Sequence, residues 1–256
     1  IALGHYALQG SGTVSANTGT HNVAIGACAG QDLTSGVCNV FIGEDAGKDT
    51  TTSKDNIAIG SCAGHGNETG CENIFIGRGT GGGATGSVRN MIIGLMAGEQ
   101  GTFTGKYNVA LGASNMRDMT SGDNNTFIGN ANAICATTGS RNIVMGTHNA
   151  WGNGAGTGAD NIVIGHCNFF CWNSAHNNIV IGKCAGHDTA GGSYNVFLGW
   201  MAGEKDTAGT HQTFLGYSAG RCMKGDSNVA LGRNAGRGSS TPGNNTGTYN
   251  ISIGFH

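Results

Sequence analysis

Asn39-Val40-Phe41-Ile42-Gly43-Glu44-Asp45-Ala46-Gly47 is followed by Asn56-Ile57-Ala58-Ile59-Gly60-Ser61-Cys62-Ala63-Gly64, the same pattern displaced by 17 residues. Outward from this pair, Asn-apolar-x-apolar-Gly starts again at Asn22, Asn73, Asn90, Asn108, Asn125, Asn142, Asn161, Asn178, Asn195, Asn228 and Asn250, with Gln212 standing in once and a partial copy at residues 1–4. Four intervals depart from 17, at 18, 19, 16 and 22. A unit this short cannot bury a hydrophobic face alone, but it can stack that face on identical neighbours. Runs such as Asn161-Ile162-Val163-Ile164-Gly165 are strand chemistry. The fold expected is all-β: a parallel β-solenoid, or β-roll, of about fifteen 17-residue coils forming one repeat domain over residues 1–256. Stacking at about 4.8 Å per coil would make a rod of roughly 70 Å. The residues after the corner, such as Ala27-Cys28-Ala29-Gly30, are expected to form a second short strand.

Composition agrees with a thin architecture. Of 256 residues 49 are Gly and one is Pro, and 13 basic plus 15 acidic side chains make only 11% of the chain. Collagen is excluded because the glycines do not recur every third residue. Disorder is excluded by the ordered apolar pattern and a net charge of −2. No apolar run is long enough for a membrane span, so no membrane insertion is expected. The basic residues are scattered, so no nucleic-acid partner is expected. The nine Cys are an odd number and include no zinc-type CxxC pair.

With Asn numbered position 1, each column has a physical task. The Asn column, Asn22 to Asn250, is expected to adopt a turn conformation or to hydrogen-bond the Asn one coil away as a ladder. The Gly column, including Gly26, Gly43 and Gly60, should supply positive φ at the corner. The Ala column, including Ala29, Ala46 and Ala63, should enter a gap that admits only a methyl group. No charged residue lies in any Asn-to-Gly segment, where roughly eight would fall by chance. The middle strand residue faces opposite to its two neighbours, so one face lines the roll and the other needs a partner surface. Packing of identical rolls about the long axis satisfies that need.

Asn39-Val40-Phe41-Ile42-Gly43-Glu44-Asp45-Ala46-Gly47, repeated with Ser/Thr-Gly turns, resembles the head repeats of trimeric autotransporter adhesins and the related arrays of tailed-bacteriophage tail fibres. The resemblance spans essentially the whole chain. It implies a left-handed coil, a homotrimer around a common axis, and an extracellular location on a virion or cell surface. It also implies a partner on a host surface, a glycan or a protein receptor. The neck, stalk, membrane anchor and self-cleaving chaperone of such proteins do not occur in this stretch, so the chain is expected to be a fragment of a longer fibre protein.

Chemistry is sparse. Gly81-Gly82-Gly83-Ala84-Thr85-Gly86 fits GxGxxG but lacks the strand–helix context and reads as a turn. His166, Cys167, Cys171 and His176 are metal-capable, yet Cys167 shares a phase with Cys28, Cys62 and Cys184, which reads as a half-buried column. No metal or cofactor is expected, and a vertical Cys167–Cys184 disulfide stays open. Asp32, Glu44, Asp45, Asp49 and Glu68 are read as occupying different phases, so no catalytic pair and no enzyme is expected. Asn67-Glu68-Thr69, Asn124-Asn125-Thr126 and Asn250-Ile251-Ser252 are glycosylation sequons. The two longest intervals place extra loops at residues 9–20 and 236–249, where recognition is often carried. Trp151, Phe169, Phe170 and Trp172 form the candidate receptor-binding platform, with gap filling as the plainer role.

The function expected is a non-enzymatic structural and adhesive fibre segment that holds receptor-binding loops. A self-assembling extracellular filament is the first alternative. An ice-binding solenoid is the second, because Thr34, Thr51, Thr85, Thr102, Thr120, Thr137 and Thr207 make a partial file. The hexapeptide acyltransferase solenoid is disfavoured, since its short motif recurs several times in each coil.

Overall fold

The computed structural model describes residues 1–10, 17–99, 101–133, 137–150, 156–168, 174–188, 192–205, 209–238 and 247–255. They form a parallel β-solenoid in two units, Ile1–Ile128 and Gly129–His256. In the first unit the strands are β1 (Ala2–Leu3), β2 (Val23–Ile25), β3 (Val40–Ile42), β4 (Ile57–Ile59), β5 (Ile74–Ile76), β6 (Met91–Ile93) and β7 (Val109–Leu111), with the opening residues of β8 (Thr126–Asn130). The second holds β9 (Ile143–Thr147), β10 (Ile162–His166), β11 (Ile179–Lys183), β12 (Val196–Leu198), β13 (Thr213–Leu215), β14 (Val229–Leu231) and β15 (Ile251–Ile253). Every described pairing is parallel and equates the same column, for example Phe41↔Ala58 and Ile42↔Ile59 in the first unit and Val163↔Val180 in the second.

The middle strand residue points inward. Ala24, Phe41, Ala58, Phe75, Ile92, Ala110 and Phe127 are buried, as are Val144, Val163, Val180, Phe197, Phe214 and Ala230 in the second unit. Large and small residues interlock, with Phe41 seated between the coils of Ala24 and Ala58. The Ala column is buried opposite, and the following Gly lies against the ring. A Cβ on Gly30 would come 2.8 Å from Phe41 Cδ2, and one on Gly47 would overlap the same ring. The corner Gly is needed for a different reason. At Gly43 φ is +132°, and a Cβ would come 2.6 Å from the carbonyl oxygen of Gly60 in the next coil.

The Asn column forms the ladder. From Asn39 to Asn125 each Asn donates its backbone N–H to Oδ1 of the Asn one coil before, over 2.9–3.0 Å. The Nδ2 group donates to the same oxygen and to a carbonyl in the following coil, as Asn56 does to Asn39 Oδ1 at 3.1 Å and to Gly70 O at 2.8 Å. In the second unit Asn161, Asn178, Asn195 and Gln212 donate the same backbone bond to the Asn one coil before, as Asn250 does to Asn228 Oδ1. The left-handed turn conformation belongs to the preceding residue instead of the Asn, with Cys38 at φ 60° and Asp55 at φ 56°.

A further expectation is corrected. Among the described residues no second strand follows the corner: Cys28, Gly30 and Asp32 take φ of 54°, 62° and 69°, an alternation no strand accommodates. Their N–H groups bond to neighbouring coils, Cys28 to His5 O and Gly30 to Ala46 O, both at 2.8 Å. The other parallel pairing in the first unit is a file of single bridges, Val37↔Lys54↔Cys71↔Val88↔Lys106. In three successive coils of the second unit Asn132, Asn149 and Asn168 stand at position 8, where the Ala column otherwise runs. Asn149 and Asn168 donate their N–H to Oδ1 of Asn132 and Asn149, both at 3.1 Å, and Ala185 donates to Asn168 Oδ1 at 2.8 Å. The strands beside this file run to five residues instead of three.

Three outcomes follow. Asn56→Ala strands buried backbone groups on both sides and should cost about 3 kcal/mol or more in urea unfolding. Gly47→Ala and Phe41→Ala should each destabilise, the latter by about 3–5 kcal/mol, and the double variant should cost clearly less than their sum because the ring the methyl strikes is gone. Gln212 Oε1 is buried without a partner, so Gln212→Asn, which restores the ladder acceptor, should raise stability by about 1 kcal/mol.

Candidate functional site

The outward strand face is the most continuous surface feature of each unit. Positions 2 and 4 carry Val40, Ile42, Ile57, Ile59, Ile74 and Ile76 in the first unit, all half-buried. In the second, Ile143, Ile179, Ile181 and Leu215 are exposed. Carboxylates and cations stand off this face, several of them on the rims on either side of it.

At position 17, on the rim before the strand, two arginines pair with carboxylates one coil away. Arg89 donates to Glu72 through Nε at 2.7 Å and Nη2 at 3.2 Å, and stands over the Tyr107 ring. Arg141 grips Asp160 at 2.6 and 2.8 Å. Hydrogen bonds from these guanidinium groups hold the Glu72 and Asp160 carboxyls below the usual carboxylate range. Tyr194 and His211 stack at 5.0 Å.

At position 6, on the rim after the strand, the second unit carries a different row. Lys183 Nζ lies 5.6 Å from the Trp200 centroid, Trp200 meets Tyr217 edge-on at 5.2 Å, and the Arg233 guanidinium lies 5.5 Å from Tyr217 and 5.3 Å from Phe255. Trp200 and Tyr217 are 45% and 41% exposed. Neither Lys183 nor Arg233 has an acidic partner among the described residues. Sequence reasoning passed over this row because its residues are unlike one another. Only their shared phase, 17, 17, 16 and 22 residues apart, marks them.

Trp151, Phe169, Phe170 and Trp172, the residues expected to form the platform, lie outside the described residues. His166 Nε2 is 3.3 Å from Cys167 Sγ, while His176 Nδ1 accepts the Ala159 N–H at 3.1 Å. Among the described residues no three metal-capable side chains converge. Cys167 and Cys184 are both free thiols, and burial pushes the Cys184 thiol up, with Cys167 adding to the shift. Asn67 is buried, so its sequon presents no accessible amide. No helix among the described residues is long and apolar enough to cross a membrane.

The carboxylate reading needs correction. Asp32 and Asp49 are 17 residues apart and share position 11, and the two carboxyl groups influence one another across adjacent coils. Asp49 also meets His65 Nε2 at 3.0 Å. Cys62, His65 and Glu99 line a notch floored by Gly79, Gly82 and Gly83. Burial first, and then the neighbouring Asp49 carboxyl, raise the Asp32 pKa, against a lowering by Lys48. Comparisons with protein-family models, curated proteins and solved structures found no match.

The Asp32–Asp49 pair has a testable pH signature. The fold holds the Asp32 proton more tightly than the unfolded chain does. The associated stability is therefore complete below the ordinary carboxylate range and is lost as pH rises through the elevated value. In Asp49→Asn, Asp32 should titrate closer to the ordinary range, as read by NMR of its carboxyl carbon. An unchanged titration would show that the pairing contributes nothing.

Proposed function

We propose that this chain is a non-enzymatic fibre segment, three copies packed side by side through their outward strand faces, serving as the shaft or head of an extracellular attachment fibre on a virion or cell. The observation that carries this reading is the charge-free, half-exposed apolar face at positions 2 and 4. An apolar stripe of this kind is an association surface. Its occupant is a second copy of the same chain, because the face repeats every coil and only another array of equal spacing meets it in register. The trimer number, the left-handed coil and the extracellular location rest on the resemblance to adhesin-head and tail-fibre repeats.

The rival readings are weaker. In an ice-binding face the Thr hydroxyls would be free for water, whereas Thr34 donates to Thr51 O at 3.0 Å and Thr51 to Glu68 O at 3.1 Å. A filament that grows end to end would not need the outward face covered.

Native mass spectrometry and sedimentation velocity of the whole chain test the proposal. A discrete trimer is expected at all concentrations studied, and Ile59→Lys with Ile181→Lys should shift it to monomer while the β circular-dichroism signal is kept. A wild-type monomer, or a species whose length increases with concentration, would overturn it.

A further inference from the structure

The position-6 row of the second unit does something the scaffold does not require. The same position holds Ala27, Glu44 and Ser61 in the first unit, so no common structural role fixes its residue type. From Lys183 to Arg233 it becomes cation, ring, ring, cation in four successive coils. We infer that this row, Lys183, Trp200, Tyr217 and Arg233, is a binding ridge for an acidic carbohydrate chain. The inference rests on the fibre reading above and names the class of receptor.

The rings supply amphipathic surface for the C–H faces of sugar rings. They are held before any ligand arrives: Trp200 lies between Lys183 and Tyr217, and Tyr217 between Trp200 and Arg233. Preorganisation of this kind lowers the ordering cost of binding. The cations set the charge of the ligand. They stand three coils apart, about 14 Å at roughly 4.8 Å per coil, and no carboxylate among the described residues answers them. A ligand carrying acidic groups along a short chain of rings meets all four side chains at once.

Two other occupants fit less well. A second copy of this chain would have to bury two unpaired cations, which is costly without acidic partners. On the opposite rim of this unit Asp160 is already engaged by Arg141, at 2.6 and 2.8 Å. Single-stranded nucleic acid offers a phosphate on every nucleotide. Two cations on a chain of net charge −2 match that density poorly.

Isothermal calorimetry on the whole chain tests the ridge, using tetragalacturonate and an α2,8-linked sialic acid tetramer as acidic probes, with maltotetraose and a single-stranded oligonucleotide as controls. At least one acidic probe should bind, and binding should weaken as salt is added. Trp200→Ala should weaken it by about tenfold, and Lys183→Gln or Arg233→Gln by about threefold each, with chain number and circular dichroism unchanged. The ridge is overturned if neither acidic probe binds, if maltotetraose binds equally, if the oligonucleotide binds more tightly, or if Trp200→Ala dissociates the assembly. A monomer that binds the acidic probe supports the ridge while removing the trimer, and a trimer that binds neither probe does the reverse.

Discussion

Everything in this protein depends on coils lying directly over one another at strand spacing, and one buried side chain per coil enforces that. The Asn amide is the right size to serve two neighbours. Its oxygen accepts two N–H groups from the Asn of the next coil, and its nitrogen reaches a carbonyl beside that same residue. Backbone groups left inside so thin a roll would otherwise have no water and no partner. The corner Gly meets the same constraint from the other side, since the stacking that satisfies the Asn leaves no room for a Cβ against the next carbonyl.

Departures from the unit show how local the constraint is. Where Asn takes over the Ala column, at Asn149 and Asn168, its side-chain oxygen or backbone N–H adds a second file of hydrogen bonds between coils. Where Gln replaces Asn, at Gln212, the longer side chain still reaches its carbonyl but leaves its own oxygen without a donor. Each coil tolerates such changes because it answers only to the coils above and below.

The interior is therefore similar from coil to coil, and the individuality of the molecule lies on the rims of the strand face. On one rim arginines and carboxylates pair with each other, as in Arg89–Glu72 and Arg141–Asp160. On the other, Lys183 and Arg233 spend their charge on aromatic rings and keep it available. That asymmetry gives an otherwise monotonous surface a place where chemistry is concentrated.

The coil, its register and its strand were legible in the amino-acid order alone, because a 17-residue spacing with Asn, Gly and Ala columns has one way to stack. The inward orientation of Phe41 and Phe75, the absence of a second strand and the second Asn file were not. Period-two alternation says that neighbours face oppositely without saying which face is inside, and single Ala-to-Asn exchanges look like noise until the coils are superposed. Asp32 and Asp49 were one period apart in the sequence, yet their pairing showed only in the structure, where side chains meet across coils. Residue order thus determined the repeat and the ladder through local geometry. Tertiary stacking decided which side chains share an edge, because proximity across coils depends on three-dimensional register and side-chain direction.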